Sequence, residues 1–487
     1  MRYRPNAKIA RLAGVAVLLA AGSAVALNSA GAAPGDAGED AAAEIPAGVA
    51  PTADFNDDGF ADHLVTAPGG TVAGQAKAGY VAVVYGSADG TDTGHRQVIS
   101  QATEGVPGDP AAEARWGVRA VARDLDGDGR TDLAVGSYRS DGVTVLWGSP
   151  DKGLTGGKQL ADGLQADGSN LVGGDFNGDG NADLISGSSE NDETANMKVL
   201  YGPFHRDGQA AGSGDLTTDK IDAPTDLVAG DMTGDGADDL VSMHAFEEMS
   251  EKSLFWKGAE GGIADKSTEV DDAAAATVGD VDGDHYGDLV LRTVPGGVVE
   301  NLPYDHGTLK VIYGSENGLS DRTATIDQSS AGVPGANEEG DQFGYALTSG
   351  DVNGDGRADI AVGVPYEDLG AGQDDTGAVV LLKGADGGLS GKGAQAFDQS
   401  VAGVPGVAEA GDRFGSAVSL QDTDGDDLRD LGVGTPGEDG AGFTDTGAAW
   451  VLRGADDGLT TDGVRSFGPG QLGAPEDGAQ LGATFAR

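Results

Sequence analysis

Apolar residues in this chain come in short bursts. Runs such as Ile360-Ala-Val-Gly-Val364 and Ala378-Val-Val-Leu-Leu-Lys383 are five or six residues long and are separated by stretches rich in Gly, Asp and Asn. No long segment places its apolar residues at i, i+3, i+4 and i+7, the spacing with which a helix buries one face. Short apolar runs bounded by turn residues predict strands. Around residue 350, the segments Thr323–Ile326, Phe343–Thr348, Ile360–Val364 and Ala378–Lys383 read as four successive strands.

The turns between these strands repeat. The pattern Asp-x-[Asp/Asn]-x-Asp-Gly-x-x-Asp, followed by an apolar residue, starts in strict or slightly altered form at Asp54, Asp124, Asp175, Asp231, Asp280, Asp351 and Asp422. A second signature, a strand ending just before a glycine, places that glycine at Gly86, Gly148, Gly202, Gly258, Gly314, Gly384 and Gly454. Both signatures count seven. Four short strands per unit, repeated seven times, predict an all-β, seven-bladed β-propeller with one unit per blade. The last residues, Gln480-Leu-Gly-Ala-Thr-Phe-Ala-Arg487, resemble Arg413-Phe-Gly-Ser-Ala-Val-Ser-Leu420 and stop where an Asp motif would begin. The first motif has no such strand ahead of it. The C-terminal strand is therefore expected to complete the first blade and close the ring, which also removes exposed sheet edges. The competing reading makes Val49-Ala-Pro-Thr52 a degenerate first strand.

The N-terminus follows a different grammar. Arg2, Arg4, Lys8 and Arg11 precede an apolar run from Leu12 to Leu27, and Ala30-Gly31-Ala32 follows. A basic region, an apolar region and small residues in Ala-x-Ala order describe a secretory signal peptide, assigned to residues 1–33. Residues 34–46 read as a disordered acidic linker, and 47–487 as the propeller. The expected product is secreted and extracellular.

Composition narrows the function. The 487 residues carry 80 Asp and Glu against 30 Lys and Arg, a formal charge of −50, and no cysteine. Such a chain repels nucleic-acid phosphates and anionic membranes. The absence of cysteine excludes disulfides, thiolate metal sites and a cysteine nucleophile.

The Asp spacing explains much of the charge. A calcium ion takes six to eight oxygens, and a tight loop can bring residues 1, 3, 5 and 9 to one point, with a backbone carbonyl at 7 and glycine at 6 for the bend. An Asp at 9 that runs straight into an apolar strand makes this a calcium loop in a β-hairpin. The clearest candidate ligand sets are Asp54, Asn56, Asp58, Asp62; Asp124, Asp126, Asp128, Asp132; Asp175, Asn177, Asp179, Asp183; and Asp351, Asn353, Asp355, Asp359. Three sets depart from the pattern. Thr233 stands at position 3 beside Asp231, Asp235 and Asp239. His285 takes the glycine position beside Asp280, Asp282, Asp284 and Asp288. Asp427 does the same beside Asp422, Asp424, Asp426 and Asp430. A non-glycine residue there predicts a strained or altered turn and a weaker site. Up to seven Ca²⁺ ions are expected. Magnesium fits less well, because its octahedral demand suits fewer protein ligands. Asx turns without metal are the competing account, but carboxylates clustered in seven loops repel one another unless a cation sits between them.

Phe343-Gly344 with Gly363-Val-Pro365, and Phe414-Gly415 with Gly434-Thr-Pro436, each flanking such an Asp loop, resemble the FG-GAP repeat of integrin α-chain propellers and of many secreted bacterial proteins. Trp116-Gly117 with Gly136-Ser-Tyr138 is a variant. The resemblance covers roughly 47–487. It implies calcium in the loop between the first two strands of a blade and ligand binding on the opposite face. Long stretches precede the Phe-Gly pairs: Gln101–Pro107, Gln328–Pro334 and Gln399–Pro405, with Gln471–Pro475 ahead of the closing strand. They belong to neighbouring blades 6, 7, 1 and 2, and an extracellular protein or glycan partner is expected on that sector. Six scattered histidines and the lack of nucleophile-elbow, zinc or phosphate-loop motifs give no catalytic constellation. Trp116, Trp147, Trp256 and Trp450 are expected in the core. The chain therefore reads as a non-catalytic binding or adhesion module, with a calcium-dependent lectin as the alternative and a propeller-type polysaccharide lyase behind it.

Overall fold

The computed structural model describes residues 53–487 apart from 139–141, 151, 162–163, 165–169 and 192–193. The signal segment, the acidic linker and Val49–Thr52 lie outside them. The described chain forms seven antiparallel sheets. Blade 6 is typical: Leu347–Gly350 is innermost, followed by Asp359–Val364, Ala378–Lys383 and the outer strand Ser390–Phe397. The middle strands are buried along their length because each blade has a neighbour on both faces.

Seven apolar clusters fill the seven junctions between blades. One joins Val290 and Val311 of blade 5 to Val362 and Val380 of blade 6. Another joins Ala449 and Val451 of blade 7 to Ala82 and Val84 of blade 1, so the ring is closed.

Closure is by the C-terminal segment. Blade 1 contributes only His63–Ala67, Tyr80–Tyr85 and Asp92–Ile99 from its own stretch of chain. Phe485 pairs antiparallel with Val65. The Thr66 amide donates to the Thr484 carbonyl at 2.9 Å, and the Gly482 and Ala486 amides donate to the Thr66 and Leu64 carbonyls at 3.1 Å. Arg487 continues onto blade 2 by exchanging hydrogen bonds with Ala120 and Ala122. Its guanidinium forms a bidentate pair with Asp226 of blade 4 at 2.9 and 3.1 Å, and Arg119 of blade 2 holds the same carboxylate at 3.1 Å. This triad ties the closing strand to both of those blades. Despite burial, the two guanidinium groups keep the Asp226 carboxyl below its usual range.

Phe343 and Gly344 do not lie in a strand as expected; the strand starts at Leu347. The Phe343 amide instead donates to the His306 carbonyl of the preceding blade at 2.8 Å, and the buried ring fills the junction of blades 5 and 6. Trp116, Phe414 and Leu481 bond in the same way to Ala78, Thr376 and Thr446. The Phe-Gly pair is thus an inter-blade joint, and turning the chain onto the neighbour ends its extended geometry. An insert of two 3₁₀ segments, Pro295–Gly297 and Val299–Tyr304, decorates blade 5 where the repeat count showed nothing.

In blades 2 to 7 each Asp loop joins the inner strand to the second strand, and in blade 1 the Asp54 loop enters the second strand, His63–Ala67, at the same end. The long Gln-containing stretches lead into the inner strands. The two sets therefore lie at opposite ends of those strands.

Candidate metal centres

All seven Asp loops are built alike. The position-1 carboxylate organises the turn. In the second loop one Asp124 oxygen accepts from the Gly127 and Asp128 amides and the other from Gly129 at 2.8 Å. Position 6 takes left-handed backbone in every copy, from Gly236 at φ 87° to Asp427 at 69°. His285 and Asp427 keep this geometry, at φ 73° and 69°, and still donate to Asp280 and Asp422 at 2.9 and 3.0 Å. The turn is therefore not altered at these two loops, and the expected departure appears only as backbone strain, about 1 kcal/mol. Position 4 is also left-handed in all seven, a requirement that six glycines and Asp57 meet.

The position-9 carboxylate is the hinge between loop and blade. Asp132 accepts from the Leu125 amide at 3.1 Å with one oxygen and from the Gly148 amide at 2.7 Å with the other. Asp62, Asp183, Asp239, Asp288, Asp359 and Asp430 accept likewise from Gly86, Gly202, Gly258, Gly314, Gly384 and Gly454. This bond explains why the two sequence signatures keep the same count. The glycine backbone packs so tightly on the loop that a Cβ at Gly148 would overlap the Thr131 carbonyl, and one at Gly258 the Asp238 carbonyl. Gly258→Ala is expected to cost about 3–5 kcal/mol, from overpacking and from the donor withdrawn from Asp239. Denaturant unfolding checks this; a midpoint equal to the wild type would contradict it.

Burial, reinforced by the neighbouring carboxylates, pushes the position-9 groups up. Asp62 reaches about 8, Asp132, Asp183, Asp239 and Asp288 about 7, and Asp359 and Asp430 about 6. The backbone donors only partly offset this.

Three loops converge three acids to within 4.8 Å of one another: Asp124, Asp126, Asp132; Asp280, Asp282, Asp288; and Asp422, Asp424, Asp426. In the other four, position 3 is Asn56, Asn177, Thr233 or Asn353, and the acids flanking it are Asp54, Asp58, Asp62; Asp175, Asp179, Asp183; Asp231, Asp235, Asp239; and Asp351, Asp355, Asp359. The sharpest observation is at position 3 itself. Asn56 Oδ1, Thr233 Oγ1, Asp282 Oδ1 and Asp424 Oδ1 are all buried without a hydrogen-bond partner. A buried oxygen with no donor is costly, and four at one loop position are what a hard cation would satisfy. The donor set is all oxygen, which suits Ca²⁺.

FG-GAP repeat models match residues 46–84 and 343–382, and an FG-GAP-like repeat model matches 124–186. The chain carries FG-GAP repeats. Integrin alpha-PS5 of Drosophila melanogaster is 33% identical over 121 residues, 25% of this chain and 10% of that protein. Bovine phosphatidylinositol-glycan-specific phospholipase D is 36% identical over 117 residues, 24% of this chain and 14% of the enzyme. The matched stretches are thus a small part of either relative. Among solved structures, an Agrocybe aegerita lectin that recognises non-reducing terminal N-acetylglucosamine aligns over 69% of this chain and 80% of its own, at 14% identity and a TM-score of 0.39.

Away from the FG-GAP loops, all four tryptophans are buried, as expected from sequence. The exposed aromatics include Tyr345, at 42%, which meets Tyr366 edge-to-face at 5.9 Å, with Arg413 over the Tyr366 ring. These three flank the Phe-Gly joints of blades 6 and 7, at the end of the inner strands away from the Asp loops. Sequence reading missed them, as it missed the arginines that reach into the Asp loops. Among the described residues, no helix is long and apolar enough to cross a membrane.

Proposed function

We propose that this protein is a secreted, calcium-stabilised FG-GAP propeller that acts as a non-catalytic binding module for an extracellular protein. Calcium would sit in the seven Asp loops. The observation that carries this part is the set of partnerless, buried position-3 oxygens inside loops already rich in carboxylates. The relevant residues are positions 1, 3, 5 and 9 of each loop, and the ion would neutralise them and fix the turn. The signal-like segment 1–33 supports export.

The partner would meet the long-loop end of blades 6, 7, 1 and 2. That end keeps Tyr345, Tyr366 and Arg413 outside the core, while the Asp loops occupy the other end. The same pair, an exposed Tyr345 against a half-buried Tyr366, favours one second reading, a calcium-dependent lectin, because an exposed aromatic ring is a suitable surface for sugar stacking.

The test joins the two readings. The protein without residues 1–33 is applied to a glycan array and, separately, used to capture proteins from cell-surface extracts, in millimolar calcium and in chelator. A protein captured by the wild type and lost by at least about tenfold in the Tyr345→Ala/Tyr366→Ala/Arg413→Ala variant, with unchanged melting, is the expected result. A defined sugar bound only with calcium selects the lectin. Full binding by the variant rejects this sector.

A further inference from the structure

The position-3 residues divide the loops in two. Where position 3 is aspartate, an arginine holds it. Arg206 Nε pairs with Asp126 Oδ2 at 2.7 Å, Arg322 with Asp282 Oδ2, and Arg453 with Asp424 Oδ2. Where position 3 is Asn56, Asn177, Thr233 or Asn353, no arginine bonds to it among the described residues. The correlation holds in all seven loops.

The atoms used are the same each time. Arginine takes Oδ2 and leaves Oδ1 turned toward the loop. Asp282 Oδ1 and Asp424 Oδ1 are buried and partnerless, and Asp126 Oδ1 meets only the Asp128 amide at 3.3 Å. The asparagines arrive at the same arrangement by amide chemistry. Their Nδ2 donates within the loop to a position-5 or position-9 carboxylate, from Asn56 to Asp58, Asn177 to Asp179 and Asn353 to Asp359, at 2.8 to 3.1 Å. Their Oδ1 stays with the loop: that of Asn56 is partnerless, and those of Asn177 and Asn353 accept from the Asp179 and Asp355 amides at 3.0 Å. Each position 3 therefore presents one oxygen and no net charge: an amide or hydroxyl in four loops, an Asp–Arg pair in three.

The arginines are delivered by two routes. Arg322 lies over the Tyr313 ring at 3.6 Å, and Arg206 over Trp147 at 5.2 Å, reaching from blade 3 into the blade 2 loop. Arg453 reaches directly from the strand Ala448–Ala455. Tyr313, Trp147 and Arg453 each immediately precede the glycine that clamps position 9. Two routes to one carboxylate oxygen, stacking on the aromatic residue before the clamp glycine and direct reach from that same position, argue that the loop itself demands the neutralising charge.

We propose that Arg206, Arg322 and Arg453 are positioning residues of the calcium loops, each fixing the position-3 aspartate so that it offers calcium one oxygen and holding the loop's net charge at the level of the asparagine loops. This rests on the calcium reading above. An unpaired fourth carboxylate would raise attraction for the cation but would also raise repulsion in the metal-free loop, with Asp282 almost fully buried.

The test is a mutant cycle on loop 5 of the full chain: Arg322→Gln, Asp282→Asn and the double variant. Two quantities are read, calcium binding by calorimetry and melting in chelator. Arg322→Gln is expected to tighten one site by about two- to fivefold, the size of one partly exposed charge pair, and to lower the chelated melting temperature by several degrees. Adding Asp282→Asn is expected to bring both back toward wild type. Arg322 also stacks on Tyr313, and losing that contact lowers melting with or without Asp282, so only the rescue reports on charge. An unaltered isotherm in Arg322→Gln, or a double variant no better than the single, overturns the proposal. A wild type that takes up no calcium overturns the calcium reading itself, and with it the ligand half of this inference; the chelated melting cycle then decides the charge-pairing half alone.

Discussion

Deleting Gly482–Arg487 is expected to unfold the entire ring rather than loosen one blade. The segment supplies the inner strand of blade 1, and three backbone hydrogen bonds join it to Leu64 and Thr66 and two more to Ala120 and Ala122. At about 1 kcal/mol net each, these contribute about 5 kcal/mol. Phe485 belongs to the apolar cluster that seals blade 7 to blade 1, and its burial adds about 2–3 kcal/mol. Losing Arg487 leaves Asp226 with one guanidinium, that of Arg119, and the Leu227 amide. The total approaches the 5–15 kcal/mol by which a whole domain is stable. A ring cannot shed one junction independently, because opening it exposes an edge strand on blade 1 and the apolar face of blade 7. Circular dichroism on the truncated chain should show no cooperative transition at the wild-type temperature, and a synthetic 480–487 peptide added in excess should restore part of it. An unchanged melting curve would end this account of closure. Arg487→Ala isolates the ionic part and should cost less than the deletion.

The sequence carried the ring, the count of blades and the closing strand because each is written as a repeat. Short apolar runs and Gly-Asp turns are local signals, and the likeness of Gln480–Arg487 to Arg413–Leu420 is a copy of one of them. The Asp loops were legible for the same reason, down to the position-9 aspartates. What the repeat could not carry is what crosses between units. The Phe-Gly pair reads as strand because Phe and Tyr favour it, yet its hydrogen bonds go to the preceding blade, as in Phe343 to His306. Arg322 and Arg206 sit at different places in their turns, and Arg206 serves the loop of the preceding blade, so no fixed offset links them to Asp282 or Asp126. Asp226, Arg119 and Arg487 are far apart in the chain and meet only because the ring closes. The glycine after each third strand was visible as a count. Its reason was not, since only the fold shows that its amide serves the position-9 carboxylate.

Stripping calcium is expected to lower the melting temperature by about 10 °C. An extracellular site with a dissociation constant near 10⁻⁴ M contributes about 1.4 kcal/mol at about 1 mM calcium. Seven such sites in one cooperative ring sum to about 10 kcal/mol, comparable to the stability of the fold itself. The chelated protein should also depend on pH with a definite sign. Without a cation the position-9 carboxyls have folded values of about 6 to 8, against 3.8 for an ordinary Asp. A carboxyl raised on folding stabilises the native state below its unfolded value, and that contribution is lost as pH rises through the folded value. Chelated protein should therefore be more stable at pH 5 than at pH 8. Calcium favours the ionised carboxylates, so the loaded protein should lose this slope or reverse it. Scanning calorimetry at both pH values, with and without chelator, reads all four states, and elemental analysis of the dialysed protein counts the ions. Equal melting in chelator and calcium, with no calcium by elemental analysis, would leave the Asp loops as metal-free turns. Raised stability in chelator at pH 8 over pH 5 would show that the position-9 groups are ionised without any cation, and that backbone donors such as Gly148 suffice to hold them.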